Sequence, residues 1–330
     1  MFEKGTNVLV TGGAGYVGAV LIPALLDRGY NVTSLDLMIY GDEVLDKHPN
    51  LKIVSGDLRD ADLLETLMTS VDLVIHLACI SNDPSFELNP SLGKEINLDA
   101  FRPLVEIAKK NNVKRFIYAS SSSVYGVKEE SDVTEDMLLE PLTDYSKFKV
   151  ACEIVLNEYQ SDNFTTVTVR PATVCGYSPR QRLDVVVNIL TNLAYHKRKI
   201  SIFGGDQLRP NIHIKDMVRA YLAVIDAPIQ KVAGEVFNAG YENHSVNELG
   251  KTVVEVIGDD VTVEHVSTDD NRSYHVSSKK IKNVLGFEPQ HTIKEAVEDL
   301  RDAFEAGKLN NPLENEMYFN IKRMQSISLK

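Results

Sequence analysis

The 330-residue sequence contains no tryptophan and only three cysteines, Cys79, Cys152 and Cys175. So few thiols, without metal-type spacing, give no disulfide framework and suit a reducing compartment. No apolar run approaches the ~20 residues that span a bilayer. Basic residues are in deficit: 35 Lys+Arg against 47 Asp+Glu leave a formal charge of −12. Such a surface repels nucleic acid and anionic lipid, so any anionic ligand must be held by a local basic cluster. Internal repeats and low-complexity segments are missing too. What is there is ordinary globular composition, 43% hydrophobic and 25% charged, which argues against a disordered or fibrous chain. The opening Met1-Phe2-Glu3-Lys4-Gly5 runs straight into a strand-like segment. That predicts no signal peptide and a cytoplasmic protein.

The first half alternates short apolar runs with amphipathic stretches. Residues 7–11, 31–36, 51–55, 72–77, 115–119 and 166–170 read as strands, and 15–28, 61–68, 101–111 and 144–160 as helices. This alternation predicts an α/β fold of βαβ units around a parallel sheet. After Pro171 the rhythm changes. A Gly/Pro/Arg-rich stretch over 175–182 precedes helical patterns near 185–196, 215–225, 246–257 and 293–306. Residues 235–238 read as one further strand of the first sheet. The expected division is a Rossmann, doubly wound domain over 1–172, with a returning strand near 234–240, and a smaller substrate domain over 173–330. The polar stretch after Pro312 shows no pattern.

Between the first strand and first helix lies Thr11-Gly12-Gly13-Ala14-Gly15-Tyr16-Val17-Gly18. Gly12, Gly15 and Gly18 give the backbone a tight turn and let a dinucleotide's diphosphate approach the helix N-terminus, where unpaired N–H groups favour negative charge. A glycine turn needed only for close packing is the alternative, and the flanking strand and helix argue against it. Asp36 ends the second strand, eighteen residues past Gly18. A carboxylate there accepts ribose hydroxyls and repels a 2′-phosphate, which selects NAD over NADP; a strand-end cap is the plainer role for an Asp.

Tyr145 and Lys149 stand four apart, on one face of a predicted helix. A nearby ammonium favours the phenolate and lowers a tyrosine pKa from ~10, making it a usable base near neutrality. Tyr-x-x-x-Lys alone is frequent and without meaning. Ser120-Ser121-Ser122-Ser123-Val124-Tyr125-Gly126 follows a strand and supplies hydroxyls for the same site, or is simply a polar loop.

Taken together, these segments, with Gly56-Asp57-Leu58, His76-Leu77-Ala78 and Arg209-Pro210-Asn211-Ile212-His213, carry a resemblance. The chain resembles the extended short-chain dehydrogenase/reductases, in their nucleotide-sugar epimerase/dehydratase group, from Val8 to about Leu300. The resemblance implies that Gly12, Gly15, Tyr16, Val17, Gly18, Asp36, Asp57, Leu58, Leu77, Ala78 and Asn97 hold NAD. It makes Tyr145 the catalytic base and Lys149 the lysine that orients the cofactor. Counted back from Tyr125, the family's catalytic Ser/Thr falls on Ser121, with Ser123 the second choice. It also implies a homodimer, formed by pairing the helix after Asn97 with the Tyr145 helix.

The reactions of this group share oxidation of a sugar carbon, usually C4, by bound NAD. The 4,6-dehydratases carry Asp-Glu directly after the catalytic Thr. Here Ser122 and Ser123 stand there, which disfavours dehydration and leaves epimerisation, oxidation or keto-sugar reduction. Arg180, Arg182, Arg209 and Arg272 stand out in an acidic chain, and guanidinium groups fork onto phosphate oxygens. A solvated or salt-bridged residue is the usual fate of a single Arg. By resemblance Arg209 and Arg272 face the diphosphate of a nucleoside-diphosphate sugar. Arg180, Arg182 and Asn188 are further candidates, and Thr173 replaces an Asn common in epimerases. Residues 178–184 are similar to a bacterial branch that includes oxidases of nucleotide-activated heptoses. No metal site is expected; His213 reads as a packed core group, and Cys79 and Cys175, near the cofactor by resemblance, read as buried small apolar residues and not nucleophiles. The leading expectation is an NAD-dependent C4 epimerase. The runner-up is a 4-dehydrogenase or 4-keto reductase, and a third reading is a non-catalytic NAD-binding regulator.

Overall fold

The computed structural model describes residues 2–327, apart from 42, 82, 131, 269–272 and 274. Its strands, in chain order, are β1 (Asn7–Thr11), β2 (Asn31–Asp36), β3 (Leu51–Ser55), β4 (Leu73–His76), β5 (Arg115–Ala119) and β6 (Thr165–Pro171). Then follow β7 (Thr173–Cys175), β8 (Lys199–Phe203), β9 (Leu208–His213), β10 (Glu235–Ala239), β11 (Glu242–Ser245) and β12 (Thr262–Val266).

In β1 the residues alternate between two apolar environments. Val8 and Val10 pack with Ile22, Leu25 and Met217 on one face, and Leu9 packs with Leu64, Leu104 and Phe116 on the other. Burial on both faces is what a parallel sheet between two helical layers requires. Seven strands pair in the order β10-β6-β5-β4-β1-β2-β3, all parallel. The chain reverses its direction of travel across the sheet between β1 and β4. Ligands of such sheets bind at the carboxyl ends of the strands at this switch point. The expected returning strand is β10, paired with β6 from Glu235 opposite Val167 to Ala239 opposite Pro171.

The second half adds two small sheets, β11-β9-β7 and β12-β8. Its core is Cys175, Val187, Leu190, Leu249, Val253 and Val297, drawn from three helices and β7. Residues after Pro312, which show no sequence pattern, form a 3-10 turn at Glu316–Tyr318 and a helix at Asn320–Ile327. No described helix is long and apolar enough to cross a membrane.

Candidate active site

A cleft of about 370 Å³ opens at the carboxyl ends of β1, β2, β4 and β5. The turn after β1 forms its floor. Gly12 has φ +74°, and a Cβ there would lie 2.6 Å from the Ala78 nitrogen. At Gly18 a Cβ would meet the Gly13 carbonyl oxygen at 2.4 Å. Only glycine lets these two backbones close up, which keeps the turn open to a ligand at the start of the helix Gly18–Asp27.

Asp36 lines the cleft at the end of β2. One carboxylate oxygen accepts from the Ala14 N–H at 3.0 Å and the other from the Met38 N–H at 2.9 Å. Burial raises its pKa above the usual carboxylate value, opposed by these bonds and by the charge of Arg180. Each oxygen keeps a further lone pair for a ribose hydroxyl. Leu58, Ile80, Ile96 and Met324 give this end an apolar wall.

Ser121 and Tyr145 line the opposite end. The Ser121 hydroxyl caps the 3-10 turn Ser122–Tyr125, accepting from the Ser123 N–H at 3.1 Å, and lies 2.9 Å from Ser123 Oγ. Tyr145 sits in the first turn of the helix Asp144–Tyr159, which a capping box between Thr143 and Ser146 starts at this point. One turn on, Lys149 is buried, donates to the Ala119 carbonyl at 2.7 Å, and lies 5.7 Å from the Tyr145 ring centre. Beneath them a buried network holds the serine turn. Glu153 accepts from Ser120 Oγ, from Arg170 Nε at 3.0 Å and from Arg170 Nη2 at 2.7 Å. Arg170 also donates to the Tyr125 hydroxyl at 2.8 Å.

Of the other expected residues, Gly15, Tyr16, Val17, Leu77, Ala78, Thr173, Arg180 and Arg182 line the cleft. Asp57, Asn97, Asn188 and Arg209 stand off its wall. Asp57 pairs with Arg59 at 2.6 Å. Asn97 brackets the Ile80 backbone with bonds of 2.8 and 2.9 Å. The Asn188 side chain accepts from the Gly176 N–H at 3.0 Å and donates to the Tyr16 hydroxyl at 3.0 Å and to the Arg182 carbonyl at 2.8 Å. Arg209 Nη1 donates to the Leu208 carbonyl at 3.0 Å. Arg272 lies outside the described residues. Cys79 lines the cleft, whereas Cys152 and Cys175 are buried, with their thiols pushed up first by burial. No cluster of metal-ligating side chains occurs among the described residues. Sequence reasoning missed Tyr40, Asn320 and Met324 on the cleft wall. No local motif marks them, because the tertiary fold brings them there.

A model of the NAD-dependent epimerase/dehydratase family matches residues 8–240. The chain is 30% identical over 312 residues to an uncharacterised UDP-glucose epimerase of Bacillus subtilis, covering 88% of this chain and 95% of that one. Among solved structures it is similar to a UDP-glucose 4-epimerase from Thermotoga maritima solved with UDP-glucose, at 26% identity and a TM-score of 0.84, with 92% and 99% of the two chains covered. It is also similar to the dTDP-glucose 4,6-dehydratase DesIV of Streptomyces venezuelae, solved with NAD, at 25% identity and a TM-score of 0.84, with 94% and 100% covered. The glycine turn and the unpaired buried donors of Arg180 fit the cofactor of this group, which is NAD.

Proposed function

The chain belongs to the NAD-dependent epimerase/dehydratase family, and from that premise we propose that it is a nucleotide-sugar epimerase acting at C4. One observation separates epimerisation from the dehydration that other members carry out. Asp36 is the only carboxylate lining the cleft among the described residues, and it stands at the end away from Tyr145. A 4,6-dehydratase needs an acid and a base for the C5 proton and the C6 hydroxyl. The positions after Ser121 offer only the hydroxyls of Ser122 and Ser123. Epimerisation needs one acid/base group, and Tyr145 supplies it.

In this mechanism the Tyr145 phenolate takes the C4 hydroxyl proton. Ser121 donates a hydrogen bond to the same oxygen and holds it there. Lys149 keeps positive charge beside the phenol and favours its ionised form. Held by the glycine turn and Asp36, NAD would supply a hydride acceptor and donor at C4. Tyr145 gives its proton back to the carbonyl oxygen as it is reduced. Thr173, on the cleft wall, serves the nucleotide sugar.

Incubation with UDP-, dTDP-, GDP- and CDP-sugars, following product stereochemistry and NADH absorbance together, tests this reading. Interconversion of C4 epimers without net NADH supports it. Stoichiometric NADH would replace it with a 4-dehydrogenase.

A further inference from the structure

The helix Asn320–Ile327 forms part of the cleft wall through Asn320 and Met324. Asn320 is buried, with its backbone N–H and both polar side-chain atoms hydrogen-bonded. Its backbone N–H donates to Asp184 at 2.8 Å, its Nδ2 donates to Ser81 Oγ at 2.9 Å, and its Oδ1 accepts from Arg180 Nη2 at 2.6 Å. One turn on, Arg323 donates to the Ile39 carbonyl, and Met324 packs with Leu58, Ile80 and Ile96. Ser81 follows β4 and Ile39 follows β2, the two strands that flank β1. The helix therefore bridges the loops on either side of the glycine turn.

Arg180 supplies an independent observation. It lines the cleft at 3% exposure, and its guanidinium lies 3.6 Å from the Tyr40 ring centre. Its Nε and Nη1, and Arg182 Nη2, have no hydrogen-bond partner among the described residues. A buried donor left unmet costs ~1–3 kcal/mol, so this wall calls for an acceptor-rich group in the cleft. Between the ribose-binding carboxylate of Asp36 and the glycine turn, the acceptor-rich part of NAD is its diphosphate.

We infer that the helix Asn320–Ile327 is a clasp over the adenosine half of bound NAD, and that Asn320 aims Arg180 at the cofactor's diphosphate. Arg180 and Arg182 then serve the cofactor, and not the sugar nucleotide to which the sequence alone assigns them. NAD leaves only when the contacts of Asn320, Arg323 and Met324 are released together. The inference rests on the NAD site and stands or falls independently of C4 chemistry.

Stopped-flow release of NADH tests it: protein loaded with NADH is mixed with excess NAD, and the nicotinamide fluorescence is followed. Asn320→Ala and Arg323→Ala should each speed release about tenfold, the effect of losing one hydrogen bond that involves a charged group. Arg180→Met should weaken NADH binding and leave UDP and dTDP binding, measured by calorimetry, unchanged. Circular dichroism shows whether each variant folds; if Asn320→Ala does not, Arg323→Ala, at the partly exposed rim, decides alone. Folded variants that release NADH within twofold of the parent overturn the clasp. An Arg180→Met protein that loses UDP or dTDP affinity and keeps NADH affinity overturns the assignment of Arg180.

Discussion

Tyr145 differs from every other phenol on the cleft wall in having Lys149 one helical turn away. Tyr145→Phe removes one oxygen and keeps the ring. Turnover on the identified sugar should fall by about 10²–10⁴, the worth of a positioned acid/base, while folding and NAD binding survive. Ser121→Ala should cost less, and Lys149→Ala should lower both rate and cofactor affinity; near-normal turnover of Tyr145→Phe would remove the proposed mechanism. Asp36 lines the other end. Direct titration should show NAD binding more tightly than NADP, and Asp36→Ala should weaken NAD by about 10- to 100-fold, equivalent to ~1.5–3 kcal/mol. Equal affinity for both cofactors would reject its role. His76 links the site to acid stability. Burial first, and the charge of Lys149 second, push its pKa from 6.5 down to about 3. The unfolded chain therefore binds this proton more readily than the folded one, so stability is full above pH 6.5 and falls as pH drops from there toward 3. The melting temperature of His76→Asn should decline less steeply between about pH 7 and 5; matching slopes would show that His76 contributes nothing. The cleft positions of Gly12, Gly15, Gly18, Asp36 and Tyr145 were legible because each falls within a few positions of a strand end or a helix start. Asn97 and Asn188 were less so, since a carboxamide suits a ligand and a backbone bracket equally well, and only the tertiary fold supplies the bracket.

At the scale of elements, the serine turn is held from behind. Glu153 of the Tyr145 helix, Arg170 of β6 and Asn238 of β10 meet through Ser120 and Tyr125, whose hydroxyl donates to Asn238 at 2.7 Å. Glu153 and Arg170 are both buried. Removing one partner of such a pair strands the other charge, so Glu153→Ala should cost about 3–5 kcal/mol of stability and loosen the turn that carries Ser121. Chemical denaturation measures the first effect; a loss under about 1 kcal/mol would mean that water replaces the carboxylate. The network shows what a sequence withholds. Each strand of the large sheet was readable from a short apolar run between turn signals, and helix limits fell within a few residues of expectation. The pair β8 and β12 was not readable, because its parallel register joins Lys199 to Thr262 across 63 positions and β12 is exposed throughout. The helix Asn320–Ile327 was equally hidden. Its residues are polar, and they find their partners at Ser81, Arg180 and Asp184.

For the whole molecule, the open question is which surfaces are left to a second copy. The helix pair expected to form a dimer, Phe101–Lys110 and Asp144–Tyr159, covers one face of the large sheet. Leu104, Ile107 and Ala108 are consumed by that packing and are buried within one chain. Apolar spacing could not tell this intramolecular use from an interface, since both need the same stripe. What remains outward is Ile154 at 60% exposure, with Arg102 and Glu158 paired at 2.8 Å across the two helices. Pairing two copies about a twofold axis would bury Ile154 near the axis, because the same patch serves both partners. The Tyr145 helix would then be braced on its outer side. On this reading light scattering at micromolar concentration gives the mass of a dimer, and Ile154→Glu, which sets two carboxylates face to face at the axis, gives the 36.8 kDa monomer with its fold intact. A parent protein that is already monomeric would reject the pairing. A dimer unaffected by Ile154→Glu would move the interface to another surface.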